Sequence, residues 1–299
     1  MKKIIVITGP TGVGKTKLSV ELAKKINGEI VNADSMQVYK GLDIGTAKIK
    51  EKEKESVPHN LFDICDVMDN YTIFNYQKDA RKKINEIIER GHIPIFVGGS
   101  GLYIKAALYD YKLVNEEFHS EFNEFTNEEL LEEIKRHHPT DIHVNNRKRL
   151  VRELNKIKNN SVNISNIMNP LYDIVVIGLT TEREKLYNII NNRVDKMIEE
   201  GLINEVKELY DKGVDSKAIE TGIGYKELYK YFNGEITLDE SIELIKKNSR
   251  NYAKRQYTFF NHQMNTKWFM VDFNNFNNTV NDVYEYVKTC QQAKNINNK

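Results

Sequence analysis

The sequence predicts an α/β fold, a parallel β-sheet flanked by helices and interrupted by a helical insertion. Three observations carry this. Apolar, β-branched runs recur at Ile4–Thr8, Glu29–Ala33, Ile93–Val97 and Tyr172–Leu179, and each reads as a short buried strand. Amphipathic helices alternate with them, the rhythm of a parallel sheet covered on both faces. The first run ends in Gly9-Pro10-Thr11-Gly12-Val13-Gly14-Lys15-Thr16, a phosphate loop placed between a strand and a helix, as that motif requires. The core is therefore expected to be P-loop NTPase-like.

The elements follow in order. Leu18, Val20, Leu22, Ala23 and Ile26 recur at helical spacing over Thr16–Asn27, and Gly28 ends the helix. The second strand delivers Asp34-Ser35-Met36-Gln37 to its C-terminal end. Lys50–Val57 is a charged, solvated linker, and Pro58-His59-Asn60 a turn. Tyr71–Arg90 is a long helix opened by Asn70 or Thr72. The third strand ends in Gly98-Gly99-Ser100-Gly101. From Asn115 the composition changes. Glu116, Glu117, Glu121, Glu124, Glu128, Glu129, Glu132 and Glu133 form an acidic helical patch. Arg147, Lys148, Arg149, Arg152, Lys156 and Lys158 form a basic one, and an asparagine-rich loop follows over 159–169. A helix carrying Arg193 comes after the strand at Tyr172. Gly201–Lys254 is mostly helical, Trp268–Val271 is a last strand, and a final helix begins near Asn281. The expected division is 1–114 for the first part of the core, 115–170 for the insertion and 171–299 for the continuation of the core.

Composition narrows the classes. Of 299 residues, 29% are charged and 40% hydrophobic, as in a soluble globular protein. No apolar run approaches the ~20 residues that cross a bilayer, and no secretory leader precedes the first strand. Two distant cysteines, Cys65 and Cys290, make neither a disulfide framework nor a metal-ligand spacing. A cytoplasmic protein without a membrane partner is expected. A net charge of +1 does not mark a nucleic-acid binder, so any such surface must be local.

Ligands of parallel sheets sit beyond the C-terminal strand ends, so the phosphate loop, Asp34 and Ser100 should share one crevice. There, loop amides and a helix N-terminus would face an anion, Lys15 would add a point charge, and Thr16 would offer a hydroxyl to Mg2+. The third strand ends in glycines where a nucleotide hydrolase usually carries a metal-binding acid, and no Asn-Lys-x-Asp motif reads guanine. Both absences suit a loop that grips a diphosphate. Asp34 is placed to act as a general base; a helix N-cap or an outer magnesium ligand are the alternatives. Arg193 reads either as a lid over the transferred group or as a solvated helical arginine. Lys246, Lys247, Arg250, Lys254 and Arg255 interleave with Tyr252, Tyr257, Phe259 and Phe260. Such a pattern suits RNA, although most such patches are solvated helix faces.

Taken together, the phosphate loop, Asp34–Lys48, His59-Asn60-Leu61, Gly98–Tyr103, Arg149–Arg152, Arg193-Val194-Asp195, Gly222–Glu227 and Tyr252-Ala253-Lys254-Arg255-Gln256 resemble the tRNA dimethylallyltransferase family of bacterial type. The Asp43–Lys48 and Ala253–Gln256 pieces are the most specific. The resemblance implies transfer of a dimethylallyl group from dimethylallyl diphosphate to N6 of the adenosine 3′ to the anticodon, with Mg2+ as cofactor and the tRNA anticodon loop as partner. Gly9, Pro10, Thr11, Gly12, Val13, Gly14, Lys15 and Thr16 would hold the diphosphate, with Thr11 near its bridging oxygen. Arg193 would neutralise the leaving charge and Asp34 would take or orient the N6 proton. Asp34, Ser35, Met36, Gln37, Ser100, Lys148, Arg149, Leu150, Val151 and Arg152 would contact tRNA. A monomer is expected. Two alternatives change the substrate: an adenylate isopentenyltransferase acting on free nucleotide, and a kinase using ATP in the same loop. The sequence departs from the family pattern at Ser100, at Asn145–Lys148 and at Phe259.

Overall fold

The computed structural model describes residues 2–111, 120–159 and 169–297. They divide into two compact units, one made of residues 1–109 and 170–299 and the other of 110–169. Of the acidic patch, Glu116 and Glu117 lie outside the described residues, as does most of the asparagine-rich loop.

The larger unit is built on β1 (Lys3–Thr8), β2 (Gly28–Asn32), β3 (His59–Asn60), β4 (Ile93–Val97), β5 (Asp173–Thr180) and β6 (Thr266–Met270). They form one sheet in the order β3-β2-β4-β1-β5-β6, and every pairing is parallel. Successive side chains alternate between two cores, because strand residues point to opposite faces. Ile4 and Val6 enter one core with Tyr76, Ala80 and Ile84 of the helix Ile73–Glu89. Ile5 and Ile7 enter the other with Leu18 and Leu22 of the helix Lys15–Ile26 and with Val280 and Val283 of the helix Phe276–Asn297. Each such side chain contributes roughly 1.5–3 kcal/mol when fully buried.

The long helices and four strands lie where the periodicity puts them. Thr72 caps the helix Ile73–Glu89 by accepting from the N–H of Asn75 at 3.3 Å. Three expectations change. Pro58-His59-Asn60 is not only a turn, since His59 and Asn60 pair with Ile30 and Val31 as an edge strand. Lys50–Val57 contains one helical turn, Glu51–Lys54. The last helix starts at Phe276. The helix Gly101–Leu108 follows β4 directly. No helix among the described residues is long and apolar enough to cross a membrane.

The smaller unit pairs the helices Asn127–His137 and Arg147–Lys158. Phe122, Leu130, Ile134, Ile142, Leu150 and Leu154 form its own core.

Candidate active site

The phosphate loop leaves β1 with glycine in three backbone conformations that L side chains rarely adopt: φ is +137° at Gly9, +84° at Gly12 and +93° at Gly14. Space demands glycine as well. A Cβ would lie 2.5 Å from the carbonyl oxygen of Leu179 at Gly9, 2.5 Å from Cγ2 of Ile189 at Gly12 and 2.6 Å from the Phe276 ring at Gly14. The loop is thus held by β5, by the helix Arg183–Glu199 and by the last helix. Pro10 has no N–H to give an anion. Its carbonyl accepts from Lys15 Nζ at 2.8 Å, and that of Gly9 does so at 2.9 Å. The Val13 side chain is buried in the core, and Thr16 is exposed.

The end of β2 is tied by its own asparagine. Asn32 Oδ1 accepts from the N–H of Asp34 at 2.9 Å, and Asn32 Nδ2 donates to the carbonyl of Leu61 at 3.0 Å. No helix follows Asp34, which removes the N-cap reading. Its Oδ1 instead accepts from the N–H of Met36 at 2.9 Å, a tight side-chain turn. Ser100, past β4, closes onto this segment. Its Oγ accepts from the N–H of Ser35 at 3.0 Å and donates to Ser35 Oγ at 3.2 Å, while its own N–H donates to Ala33 at 3.0 Å.

Three charges meet in the crevice. Burial lowers the Lys15 amine to about 7, Arg193 pushes it the same way and Asp34 opposes. Burial likewise raises the Asp34 carboxyl above its ordinary range, against the N–H of Met36 and the charges of Lys15 and Arg193. Arg193 is also depressed by burial, with Asp34 as its main support. The Nε of Arg193 is buried without a hydrogen-bond partner among the described residues, a costly arrangement unless a ligand supplies the acceptor.

Tyr252 and Gln256, expected only as part of an RNA-facing basic segment, turn to the crevice. Gln256 Nε2 donates to the carbonyl of Gly99 at 3.3 Å, and Tyr252 OH lies 3.5 Å from the same oxygen. Burial and the nearby Asp34 push the Tyr252 phenol up to about 12, so it stays a donor. The helix carrying them comes so close that a Cβ at Gly99 would meet Gln256 at 1.8 Å and one at Gly101 would meet Phe259 at 2.2 Å. The run of glycines around Ser100 was the available signal for this approach.

Among the residues expected to face RNA, Lys148, Arg149 and Arg152 are exposed and Val151 is half-buried in the smaller unit. Leu150 is a correction: it is fully buried against Leu130 and Ile134, so its side chain packs the unit's core. In the second basic segment, Lys246 is paired with Asp195 at 2.8 Å and Glu243 at 3.1 Å. Lys254 and Arg255 are exposed beside a surface groove of about 400 Å³ that Phe259 and His262 also line.

A parallel sheet with a glycine cradle, a cationic crevice and a carboxylate at the next strand end defines a phosphate-loop protein. A family model described as IPP transferase matches residues 37–263, and the chain belongs to that family. It is 46% identical to a tRNA dimethylallyltransferase of Anoxybacillus flavithermus over 96% of both chains. The crystal structure of a full-length tRNA isopentenylpyrophosphate transferase from Bacillus halodurans is similar over 100% of both chains, with a TM-score of 0.80 and 40% identity. A eukaryotic dimethylallyltransferase acting on tRNA is similar over 90% of this chain and 74% of its own, with a TM-score of 0.76 and 29% identity.

Proposed function

We propose that the protein transfers a dimethylallyl group from dimethylallyl diphosphate to N6 of the adenosine 3′ to the anticodon of tRNA. The observation that carries this reading is a carboxylate, Asp34, facing two cations, one of which keeps a buried N–H without a partner among the described residues. A diphosphate supplies the missing acceptor, and an amine nucleophile supplies the proton that Asp34 needs. The amides of Gly12, Gly14, Lys15 and Thr16 take diphosphate oxygens, and Lys15 exchanges two loop carbonyls for the anion. Thr11 lies in the same loop to meet the bridging oxygen.

The adenine unstacks to reach the crevice, which costs less in a loop than in a duplex. Its N6 forms a bond to C1 of the allyl group while the C1–O bond breaks. The electron pair leaves on the diphosphate, which Lys15 and Arg193 neutralise, and Asp34 takes the N6 proton. Donors fixed where charge develops usually give the largest catalytic effect. Thr16 is a fitting single hydroxyl ligand for Mg2+, which usually binds through few protein groups and substrate phosphates. Bound there, the ion would offset diphosphate charge. Ser35, Met36, Gln37 and Ser100 border the acceptor. Lys254 and Arg255 of the larger unit supply exposed positive charge for tRNA, and Lys148, Arg149 and Arg152 give the smaller unit a basic surface of its own. All the reacting groups come from one chain, which supports a monomer, and a tRNA substrate supports a cytoplasmic enzyme.

The test is transfer of label from dimethylallyl diphosphate with magnesium, offering unmodified tRNA in one reaction and AMP in another. Label in tRNA supports the reading. Label in AMP alone, or ATP consumption with no transfer, overturns it.

A further inference from the structure

Asp43-Ile44-Gly45-Thr46-Ala47-Lys48 is tied down by side chains at both ends. Three successive N–H groups converge on one carboxylate. Those of Asp43 and Ile44 donate to Glu205 Oε2 at 3.0 and 2.7 Å, and that of Gly45 donates to Oε1 at 3.1 Å. The Tyr225 phenol donates to the same Oε1 at 2.6 Å. Consecutive amides of this kind make an anion nest, and here the chain fills the nest with its own Glu205, from the helix Leu202–Asp211. Lys48 Nζ locks the other end, donating to the carbonyl of Tyr39 at 2.9 Å and to Asp43 and Asp63.

The clamped loop reaches the acceptor side of the site at one point. Gln37 Nε2 donates to the carbonyl of Thr46 at 2.9 Å. A carbonyl accepts only from the NH2 end of an amide, so this bond fixes which way Gln37 faces and keeps its oxygen as an acceptor. The neighbouring Met36 packs on the turn before Tyr225, because a Cβ on Gly222 would lie 2.8 Å from its methyl and 3.0 Å from the Tyr225 ring.

We propose that Glu205 is a positioning residue for the RNA acceptor: it fixes the Asp43–Lys48 loop and, through the Thr46 carbonyl, the orientation of Gln37. This rests on the transferase reading above. Among the described residues no hydrogen bond joins Glu205 or the Asp43–Lys48 loop to the phosphate loop, so the larger effect should fall on tRNA and the smaller on the diphosphate.

Steady-state transfer is measured with each substrate varied in turn, for wild type, Glu205→Gln, Gln37→Ala and the double variant, with thermal melts alongside. Glu205→Gln should raise KM for tRNA about tenfold, the usual effect of losing a charge-assisted bond, and leave KM for dimethylallyl diphosphate within about twofold. In the Gln37→Ala background the same change should add less than about twofold, because the two act in series. Tyr225→Phe, which removes one of the four bonds, should raise KM for tRNA by about threefold if Glu205→Gln folds poorly. A lowered melting temperature with both KM values unchanged would overturn the inference, as would additive effects of Glu205→Gln and Gln37→Ala. An inactive wild type would instead sink the transferase reading itself.

Discussion

The phosphate loop and the Asp43–Lys48 loop both contain glycine and both follow strands of the sheet. They differ in what satisfies them. The second loop is closed: Glu205 fills its amides, Tyr225 and Lys48 complete it, and a Cβ at Gly45 would strike the Tyr225 ring at 2.7 Å. The first is open. Lys15 is parked on two carbonyls, Arg193 keeps an Nε without a partner among the described residues, and Asp34 is held above its ordinary pKa by burial. Groups that are satisfied internally build a scaffold, whereas groups left in tension are kept for a ligand, because the fold alone would gain by relieving them.

The largest effect that could break this comparison is at Arg193. Arg193→Met should lower kcat by about 10²–10³, the usual loss of one transition-state donor. It should leave the melting temperature unchanged or raised, since Lys15 stays beside Asp34 and the repulsion between the two cations is relieved. A large fall in melting temperature would show Arg193 to be scaffold. Gly45→Ala should do the reverse. The clash with Tyr225 should cost about 1–3 kcal/mol of stability, read by denaturant unfolding, while diphosphate affinity in calorimetry stays as in wild type.

A smaller effect is expected from pH. A bound diphosphate favours the charged form of Lys15, so binding raises its pKa above the value of about 7 in the free site. Affinity is then complete below pH 7. It weakens by up to about tenfold per pH unit above it, until the bound-state pKa is passed. KM for dimethylallyl diphosphate, followed from pH 6 to 9, should rise accordingly, and Lys15→Gln should flatten the profile. On the acid side Asp34 must be ionised to take a proton. Its raised pKa places the fall in kcat/KM above the usual carboxylate range.

Much of the open region was legible in the sequence, because its chemistry is local. Gly9–Thr16 spells its own backbone, and Asp34 and Ser100 are placed by the strands before them. The closed region was not. Glu205 lies far along the chain from Asp43, and an acidic residue on a helix face gives no sign that it will cap a distant loop. The edge strand His59–Asn60 escaped because two polar residues carry no alternation. The helix Gly101–Leu108 was hidden behind glycines that serve the approach of Gln256 and Phe259. The early start of the last helix was masked by Asn274, Asn275, Asn277 and Asn278, poor helix formers, one of which, Asn278, hydrogen-bonds Asp272. Leu150 stood in a basic motif read as an RNA contact, but helical spacing turns it inward.

The most direct measurement is single-turnover transfer of labelled dimethylallyl to unmodified tRNA by Asp34→Asn, beside calorimetric binding of diphosphate with magnesium. The account predicts transfer reduced by at least about 10², as expected for a lost general base, with diphosphate affinity close to that of wild type. Normal transfer with lost diphosphate affinity would contradict it and make Asp34 a ligand of the metal.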